Sequence, residues 1–288
     1  MILTLILLMN KNFECGRYCF PMTGDGFSPL VMGILNVTPD SFSDGGQFQA
    51  LDGAISRAEQ MIRDGVDIID IGGESSRPGS HGLHLDEELS RIMPVIYALR
   101  DCGKPLSIDT YKPEVMREAI LAGVDMINDI RGFSSIESRN AVADGNVALC
   151  IMHMQNTPSE MQLKPEYSDV NVEVIEFLKR QVAEIELAGV HSDRICIDPG
   201  FGFGKTLAHN ISMMRHIADY QQVLGLPLLA GVSRKSMIGE MTGKSVEHRL
   251  AGSIAGALAA AARGAKIVRV HDVAETVDAL KVWRSLSN

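Results

Sequence analysis

The sequence has 288 residues, of which 45% are hydrophobic, 22% are charged and 5% are aromatic. This composition suits one large domain with a substantial core and excludes a disordered chain. The formal net charge of −9 argues against a general nucleic-acid binder, which needs an excess of Lys and Arg, so any anion site must be a local cluster of basic residues.

Residues 1–30 are predicted to be an N-terminal extension or a short cover for the bottom of the fold. Residues 1–9 are apolar, but a membrane-spanning helix needs about 20 such residues, so no membrane span is predicted. The basic start and small-residue cleavage site of a signal peptide are also missing. The cysteines form no paired motif and are interpreted as reduced thiols of a cytoplasmic protein. They are Cys15, Cys19, Cys102, Cys150 and Cys196.

Residues 31–288 are predicted to form a single domain in which short apolar strands alternate with amphipathic helices. The predicted strands are Val31–Asn36, Val66–Ile71, Pro105–Asp109, Val124–Asn128, Val147–His153, Arg194–Asp198, Pro227–Val232 and Lys266–Val270. The predicted helices are Leu51–Asp64, Leu85–Arg100, Pro113–Ala122, Ile136–Asp144, Val170–Ala188, Ala208–Ala218, Val246–Arg263 and Val273–Leu286.

Eight strands alternating with eight helices indicate an α/β fold, a closed (β/α)8 TIM barrel. The alternative is an open doubly wound sheet. That fold normally carries a glycine-rich nucleotide-binding loop after its first strand, where this sequence has NVTPD at residues 36–40.

The active site of such a barrel lies at the carboxyl ends of its strands, and every predicted strand ends in a polar group. These residues are Asn36, Asp70, Asp109, Asn128, His153, Asp198, Ser233 with Lys235, and Arg269 with His271. The acidic and amide groups suit a flat heterocycle with several N–H donors and a carbonyl. The basic groups of the last two strand ends, with Arg234 and Lys205 nearby in sequence, suit a phosphate or diphosphate.

Simpler structural roles compete with these interpretations. Asp109 is followed by Thr110 and could cap the next helix. His153 fits a satisfied core histidine better than a catalytic one, and Asp129 is expected to point away from the site or to cap a turn. Alternation within DIID could place one of its two aspartates outward.

Three segments have the composition of ligand-binding loops. Residues 37–47 and 72–80 are rich in Gly, Ser and Pro, which favours mobile loops that close over a ligand. Residues 198–205 (DPGFGFGK) form a glycine-rich turn. Its glycines let the backbone approach a ligand, and Phe203 could stack on an aromatic ring.

Eight motifs occur in order at these strand ends: NVTPDSFSDGG, GGESSRPG, IDTYKPEV, INDIRG, MHMQ, DPGFGFGK, SRKSMIG and RVHDV. From about Met32 to the C-terminus, the sequence closely resembles the bacterial dihydropteroate synthases. Two positions depart from the common pattern, because this chain has Ser76 where Thr is more frequent and Tyr111 where a small residue is common.

The resemblance implies a role for each matching residue. The pterin-binding residues are Asp70, Asp109, Asn128, Met152, Asp198 and Lys235. The p-aminobenzoate side comprises Ser76, Arg77, Phe203 and Ser233. The diphosphate residues are Asn36, Arg269 and His271, with Asn36 also helping to hold Mg2+. The catalytic set is Asp109, Asp198, Lys235, Arg269 and His271.

The resemblance further implies condensation of a pterin diphosphate with p-aminobenzoate in folate synthesis, with Mg2+ as cofactor and an SN1-like path. Sulfonamides would mimic p-aminobenzoate, and the enzyme would be a homodimer formed through its last helices. The net charge and the short apolar N-terminus, separately, predict that it binds neither nucleic acid nor membrane. Two alternatives stay open. A pterin-dependent methyltransferase would share the pterin pocket and need no diphosphate site, and a non-catalytic pterin-binding barrel would bind without turnover.

Overall fold

A computed structural model describes residues 12–24, 27–37, 46–74, 82–157 and 159–287. Its strands are β1 Asn12–Cys15, β2 Tyr18–Pro21, β3 Leu30–Asn36, β4 Ile68–Gly72, β5 Leu106–Asp109, β6 Met126–Asp129, β7 Ala148–Met152, β8 Ile195–Asp198, β9 Leu229–Ala230 and β10 Ile267–Val270. Its helices are α1 Gly46–Arg63, α2 Leu85–Leu99, α3 Pro113–Ala122, α4 Ile136–Val142, α5 Val170–Leu187, α6 Leu207–Arg215, α7 Ile217–Leu224, α8 Ser236–Thr242, α9 Leu250–Ala261 and α10 Val273–Leu286.

Strands β3 to β10 form a closed parallel barrel. They pair in the order β8-β7-β6-β5-β4-β3-β10-β9, and a parallel bridge between Ile197 and Leu228 joins the two ends of this series. The predicted (β/α)8 barrel is therefore confirmed, and the open doubly wound alternative is wrong. Each of the eight predicted strands is present, with ends that differ from the prediction by at most two residues.

The helices differ from prediction at the start of α1, which begins at Gly46 rather than Leu51, and in the last third of the chain. The helix predicted over Ala208–Ala218 is two helices, α6 and α7, that meet at His216, whose φ of −105° and ψ of 16° leave the helical region. Helix α8 was not predicted, because SRKSMIG was interpreted as site chemistry. The helix predicted from Val246 begins at Leu250, after a 3-10 turn over Val246–His248.

Two hydrophobic layers hold the barrel together. The outward faces of the strands pack against the surrounding helices in one continuous core, through residues such as Ile69, Ile108 and Leu149. The inward residues near the amino ends of the strands form a second, smaller cluster that includes Met32, Met126 and Ile267. Alternation along each strand sends successive side chains to these two layers.

The hairpin β1–β2 covers the bottom of the barrel. It buries Phe13 and Cys15, with Met22 just beyond it, in the inner cluster. The turn comes so close to β6 that a Cβ atom added to Gly16 would lie 2.7 Å from the Cα of Asp125. No helix in the described ranges is long and apolar enough to cross a membrane.

Candidate active site

The polar layer at the carboxyl ends of the strands is organised around Arg269 of β10. Its Nε donates to Asp70 Oδ2 at 2.6 Å, and its Nη2 donates to Asp109 Oδ2 at 2.7 Å. The Asn128 amide donates to the same Asp70 oxygen at 3.3 Å. Because the carboxyl ends of parallel strands meet at one edge, β4, β5, β6 and β10 bring these four predicted site residues into one hydrogen-bonded cluster.

Two acceptors in this cluster are buried and unsatisfied. Asp70 Oδ1 and Asn128 Oδ1 have no hydrogen-bond partner among the described residues. Such atoms are rare in folded proteins because an unsatisfied buried acceptor costs about 1–3 kcal/mol. Both oxygens are suited to accept from N–H groups of a ligand, which matches the heterocycle expected from the sequence.

Lys235 and Asp198 complete the cluster on the side of β8 and β9. A Cβ atom added to Gly231 would lie 3.8 Å from Lys235 Nζ and 3.7 Å from Arg269 Cβ, so the two basic residues are neighbours. Lys235 Nζ donates to the Phe201 carbonyl and lies 4.5 Å from the centroid of the Phe203 ring. Asp198 Oδ1 accepts from the Gly200 amide at 2.7 Å.

Burial shifts the protonation of the charged residues in opposite directions. It raises the pKa of Asp109 to about 7, although Arg269 opposes this shift. Burial also raises the pKa of Asp198, with Lys235 opposing, and lowers the pKa of Lys235 to about 8, with Asp198 opposing. For Arg269, burial disfavours the charge, but Asp70 and Asp109 keep its pKa above the ordinary value. Arg269 therefore stays cationic, whereas Asp109 and Lys235 titrate near neutral pH.

Three more predicted residues lie at the rim of the barrel mouth, which is the cup formed by the carboxyl ends of the strands. His271 contacts Ser233 Oγ through its backbone N–H at 3.2 Å and its Nδ1 at 3.1 Å. Arg57 of α1 donates to the His271 carbonyl at 2.9 Å. A Cβ atom added to Gly72 would lie 3.7 Å from Asn36 Oδ1 and 3.8 Å from Asp109 Cβ, so Asn36 faces the same mouth.

The remaining predicted residues are Met152, Ser76 and Arg77. Met152 is buried at the end of β7, next to Asp198 in the strand register. Ser76 and Arg77 lie outside the described residues, as do most of the two loops over 37–47 and 72–80. The predicted mobility of these two loops stays a prediction.

The acids and bases are interleaved rather than divided into two halves. The sequence suggested acceptors toward a ring and cations toward an anion, but Arg269 lies between Asp70 and Asp109. Lys205 does not join the basic rim either, because it is buried against His153, with 2.9 Å between Nζ and Nδ1. Arg234 is turned to Asp272, with which it forms an ion pair.

The structure distinguishes between the structural and the functional interpretations of His153, Asp129 and Asp109. His153 is a core histidine, as expected, because it is buried and its Nδ1 contacts Lys205 Nζ at 2.9 Å; burial and the nearby Lys205 lower its pKa to about 2. Asp129 caps a turn, as expected, by accepting from Arg131 N at 2.7 Å and Phe133 N at 2.8 Å. The helix-cap alternative for Asp109 is wrong, because the N-cap residue of α3 is Lys112.

A charged cluster beside Asp109 was not predicted. Lys112 forms ion pairs with Glu74 and the buried Glu88, and Glu74 also accepts from Tyr111 Oη at 2.9 Å. Glu74 and Glu88 line a small pocket together with Asp109 and Tyr111. Glu88 could have been found from the sequence, because it falls four positions before Ile92 on the apolar face of α2.

Comparison with known proteins gives a consistent result. The family model described as "Pterin binding enzyme" matches residues 32–271. The dihydropteroate synthase of Neisseria meningitidis serogroup C is 49% identical over 262 residues, which cover 90% of this chain and 93% of that protein.

Two solved structures extend the comparison to bound ligands. The dihydropteroate synthase of Burkholderia cenocepacia, complexed with 7,8-dihydropteroate, has 47% identity and a TM-score of 0.86, and the match covers 97% of each chain. The Yersinia pestis enzyme, in a sulfonamide drug complex, has 41% identity and a TM-score of 0.89, with 96% of this chain and 99% of that chain covered.

Proposed function

The chain belongs to the dihydropteroate synthase family of pterin-binding enzymes, and we propose that it condenses 6-hydroxymethyl-7,8-dihydropterin diphosphate with p-aminobenzoate. The products are 7,8-dihydropteroate and diphosphate, in folate synthesis. One observation carries the proposal: the buried free oxygens of Asp70 and Asn128 lie in one hydrogen-bonded cluster with Arg269. Such a cluster offers acceptors to a heterocycle and a fixed cation to an anion.

The pterin would be held by the interleaved residues of the cup. Asp70, Asn128 and Asp198 offer oxygens to the N–H groups of the ring, Lys235 can donate to its carbonyl, and Met152 supplies an apolar wall. Because these groups are buried, each hydrogen bond to the pterin acts in a low dielectric and counts for more than it would in water.

The diphosphate would leave toward Arg269 and His271. Arg269 suits this role because it stays cationic and because two carboxylates hold its guanidinium in place before the reaction begins. A preorganised cation lowers the barrier most when negative charge develops on the leaving group. Its bonds to Asp70 and Asp109 would partly exchange for bonds to the diphosphate.

Asn36 would help to hold Mg2+ at the mouth of the barrel. Among the described residues, no group of three or more His, Cys, Asp or Glu side chains can hold a metal ion. Magnesium, however, commonly binds through one or two protein oxygens together with substrate phosphates and water, and the Asn36 amide oxygen faces the mouth beside Gly72. When bound there, Mg2+ would neutralise charge on the departing diphosphate.

The bond to diphosphate would break before the amine attacks, in an SN1-like path. Departure leaves a cation shared between the methylene and the electron-rich pterin, and ionised Asp109 and Asp198 can stabilise it. The neutral amine of p-aminobenzoate then forms the C–N bond to the methylene without a strong base, and the proton that its nitrogen loses passes to the released diphosphate or to water. Ser76, Arg77, Phe203 and Ser233 would hold p-aminobenzoate, and sulfonamides would compete with it there.

The deciding experiment is release of diphosphate from the pterin substrate, measured with and without p-aminobenzoate. Diphosphate release that depends on p-aminobenzoate, together with formation of dihydropteroate, is the expected result. Binding of the pterin without release would favour the non-catalytic barrel. Transfer of a methyl group from a pterin donor, with no diphosphate chemistry, would favour the methyltransferase.

The SN1-like path has its own test. Positional isotope exchange in the pterin diphosphate, without p-aminobenzoate, should show scrambling between bridge and nonbridge oxygens. If diphosphate is free to rotate in the site and no scrambling occurs, the result counts against departure of diphosphate before amine attack.

A homodimer is proposed through α9. The glycines of this helix face inward, because Cβ atoms added to Gly252 and Gly256 would lie 2.5 Å from Ile238 and 2.9 Å from Val232. Its outward face keeps Leu250 37% exposed, with Ala251 and Ala255 also exposed. Sedimentation equilibrium should give twice the mass of one chain.

The cytoplasmic location expected from the cysteines stays a prediction.

A further inference from the structure

Side-chain hydrogen bonds hold the main chain of the glycine-rich segment 198–205 over residues 201–205. The five consecutive carbonyl groups of residues 201–205 each accept a hydrogen bond from a side chain. The donors are Lys235 for Phe201, Gln162 for Gly202 at 2.5 Å, Lys205 for Phe203 at 2.9 Å, Tyr167 for Gly204 at 2.9 Å, and Asn210 for Lys205 at 3.4 Å. This segment therefore has one defined position next to the site.

Lys205 is the unusual member of this set. Its side chain is almost fully buried, with 3% of the residue exposed, and its Nζ has three neutral acceptors. These acceptors are His153 Nδ1 at 2.9 Å, the His153 carbonyl at 3.4 Å and the Phe203 carbonyl at 2.9 Å. Within the described ranges, Lys205 forms no ion pair with a carboxylate.

Burial of Lys205 in these surroundings reduces the stability of the fold, which raises the question of what its hydrogen bonds contribute. Burying a cation costs free energy, and burial lowers the pKa of Lys205 well below its ordinary value, although the nearby Asp198 carboxylate opposes this shift. An apolar side chain would fill the same space at lower cost. The amino group of Lys205, by contrast, joins two separate segments, the end of β7 at His153 and the glycine-rich turn at Phe203.

His153 is a fixed anchor for this link. Its ring meets the Phe177 ring edge-on at 4.9 Å, and its carbonyl comes so close to the turn that a Cβ atom on Gly200 would lie 1.9 Å away. The buried ring stays neutral at ordinary pH, so Nδ1 is free to accept from Lys205. The turn can therefore not shift relative to β7 without breaking the bonds of Lys205.

We propose that Lys205 is a positioning residue for p-aminobenzoate: it holds the main chain of Phe203 against β7 and thereby sets the Phe203 ring over Lys235. The inference rests on the proposed function, because only the family resemblance assigns Phe203 to the p-aminobenzoate side. Without the link, the ring would move away from the second substrate, whereas the acceptors on β4 and β6 that face the pterin would keep their places.

The first test is Lys205→Met in the full-length enzyme. The KM for p-aminobenzoate should rise about tenfold, while kcat and the KM for the pterin diphosphate change less than threefold. The matched control is Tyr167→Phe, which removes one hydrogen bond to the neighbouring Gly204 carbonyl and keeps the ring. Its KM for p-aminobenzoate should stay within twofold of the wild-type value.

A pair of substitutions at His153 tests the same link with the Lys205 side chain intact. His153→Leu removes the ring acceptor, and His153→Gln replaces it with an amide oxygen. The KM for p-aminobenzoate should rise at least fivefold in the Leu variant and return to within twofold of wild type in the Gln variant. This pair also decides the matter if Lys205→Met does not fold.

The outcomes separate the inference from the function on which it rests. An active wild-type enzyme whose Lys205 and His153 variants keep the KM for p-aminobenzoate would overturn the positioning role. So would an equal rise in both KM values, which is the result of general loosening. A wild-type enzyme without diphosphate release would overturn the proposed function instead.

Discussion

The two ends of the barrel interior have opposite chemistry, although the same strands build both. On four strands, an apolar inward residue near the bottom is followed two positions later by a polar one at the top. The pairs are Ile68 and Asp70 on β4, Met126 and Asn128 on β6, Cys196 and Asp198 on β8, and Ile267 and Arg269 on β10. Because side chains on a strand alternate between its two faces, the next inward position after the apolar layer lies two residues further along the strand, in the site.

The bottom layer of the barrel interior stabilises the fold, whereas the top layer destabilises it. The bottom layer gains free energy by removing apolar surface from water, and the hairpin β1–β2 completes it with Phe13 and Cys15. The top layer buries charges and leaves Asp70 Oδ1 and Asn128 Oδ1 unsatisfied. Substitutions at the top should therefore change chemistry most, and substitutions at the bottom should change only stability.

The largest expected effect is at the centre of the top layer. Arg269→Ala removes the cation that we place at the leaving diphosphate and leaves Asp70 and Asp109 without their partner. Loss of one preorganised electrostatic group reduces kcat by about 10²–10³-fold, and we expect a loss of at least that size in diphosphate release. Unchanged kinetics would remove Arg269 from the site.

The control for this substitution is Arg57→Ala at the rim. The Arg57 guanidinium is exposed and donates to the His271 carbonyl at 2.9 Å. Its removal should change kcat less than threefold. A similar loss in both variants would mean that the total positive charge of the mouth, rather than the fixed geometry of Arg269, governs the rate.

The second effect belongs to the bottom layer. Phe13 is fully buried in the inner cluster, and Phe→Ala substitutions in cores typically cost about 3–5 kcal/mol. Phe13→Ala should lower the free energy of unfolding by that amount, measured by urea denaturation, while kcat at a temperature where the variant is folded stays within twofold. A large fall in kcat with unchanged stability would show that the hairpin communicates with the site. Glu14→Ala, on the exposed face of β1, is the matched control.

The third effect is the dependence of activity on pH. Burial raises the pKa of Asp109 to about 7 and lowers that of Lys235 to about 8. If ionised Asp109 and cationic Lys235 are both needed, kcat/KM should follow a narrow bell with limbs near these values, each falling up to tenfold per pH unit. Lys235→Arg should move the basic limb upward, because a guanidinium stays charged.

The same shift at Asp109 makes a statement about stability. Because its pKa is raised from 3.8 to about 7 by folding, the folded chain retains a proton that the unfolded chain releases. The stabilisation from Asp109 is therefore present below its ordinary pKa and is lost as the pH rises toward 7. Asp109→Asn should make the thermal midpoint less dependent on pH over this interval. An unaltered pH dependence would show that the carboxyl titrates at its ordinary value.

The sequence was sufficient for the barrel but not for the strands of its cover or for the geometry of the polar cluster. Strand alternation and the residues at the strand ends located the barrel and the convergence of Asp109, Asp198 and Lys235. A short cover was one of the two predictions for residues 1–30, but the two strands of the hairpin were not predicted, because each has four residues, too few for alternation to be recognised. The position of Arg269 between two carboxylates follows from barrel closure, which brings β10 beside β3, and local sequence carries no such information.

The smallest expected effect concerns the ion pair that holds the hairpin to the barrel. Arg17 Nε donates to Asp125 Oδ1 at 2.9 Å, with the Arg17 side chain 47% exposed and that of Asp125 1% exposed. Asp125 also accepts from the backbone N–H groups of Arg17 and Leu106, both at 3.1 Å, so Arg17→Met leaves the buried carboxylate partly satisfied. Solvent screening reduces the contribution of the exposed guanidinium, and the loss should be about 1 kcal/mol, measured by urea denaturation.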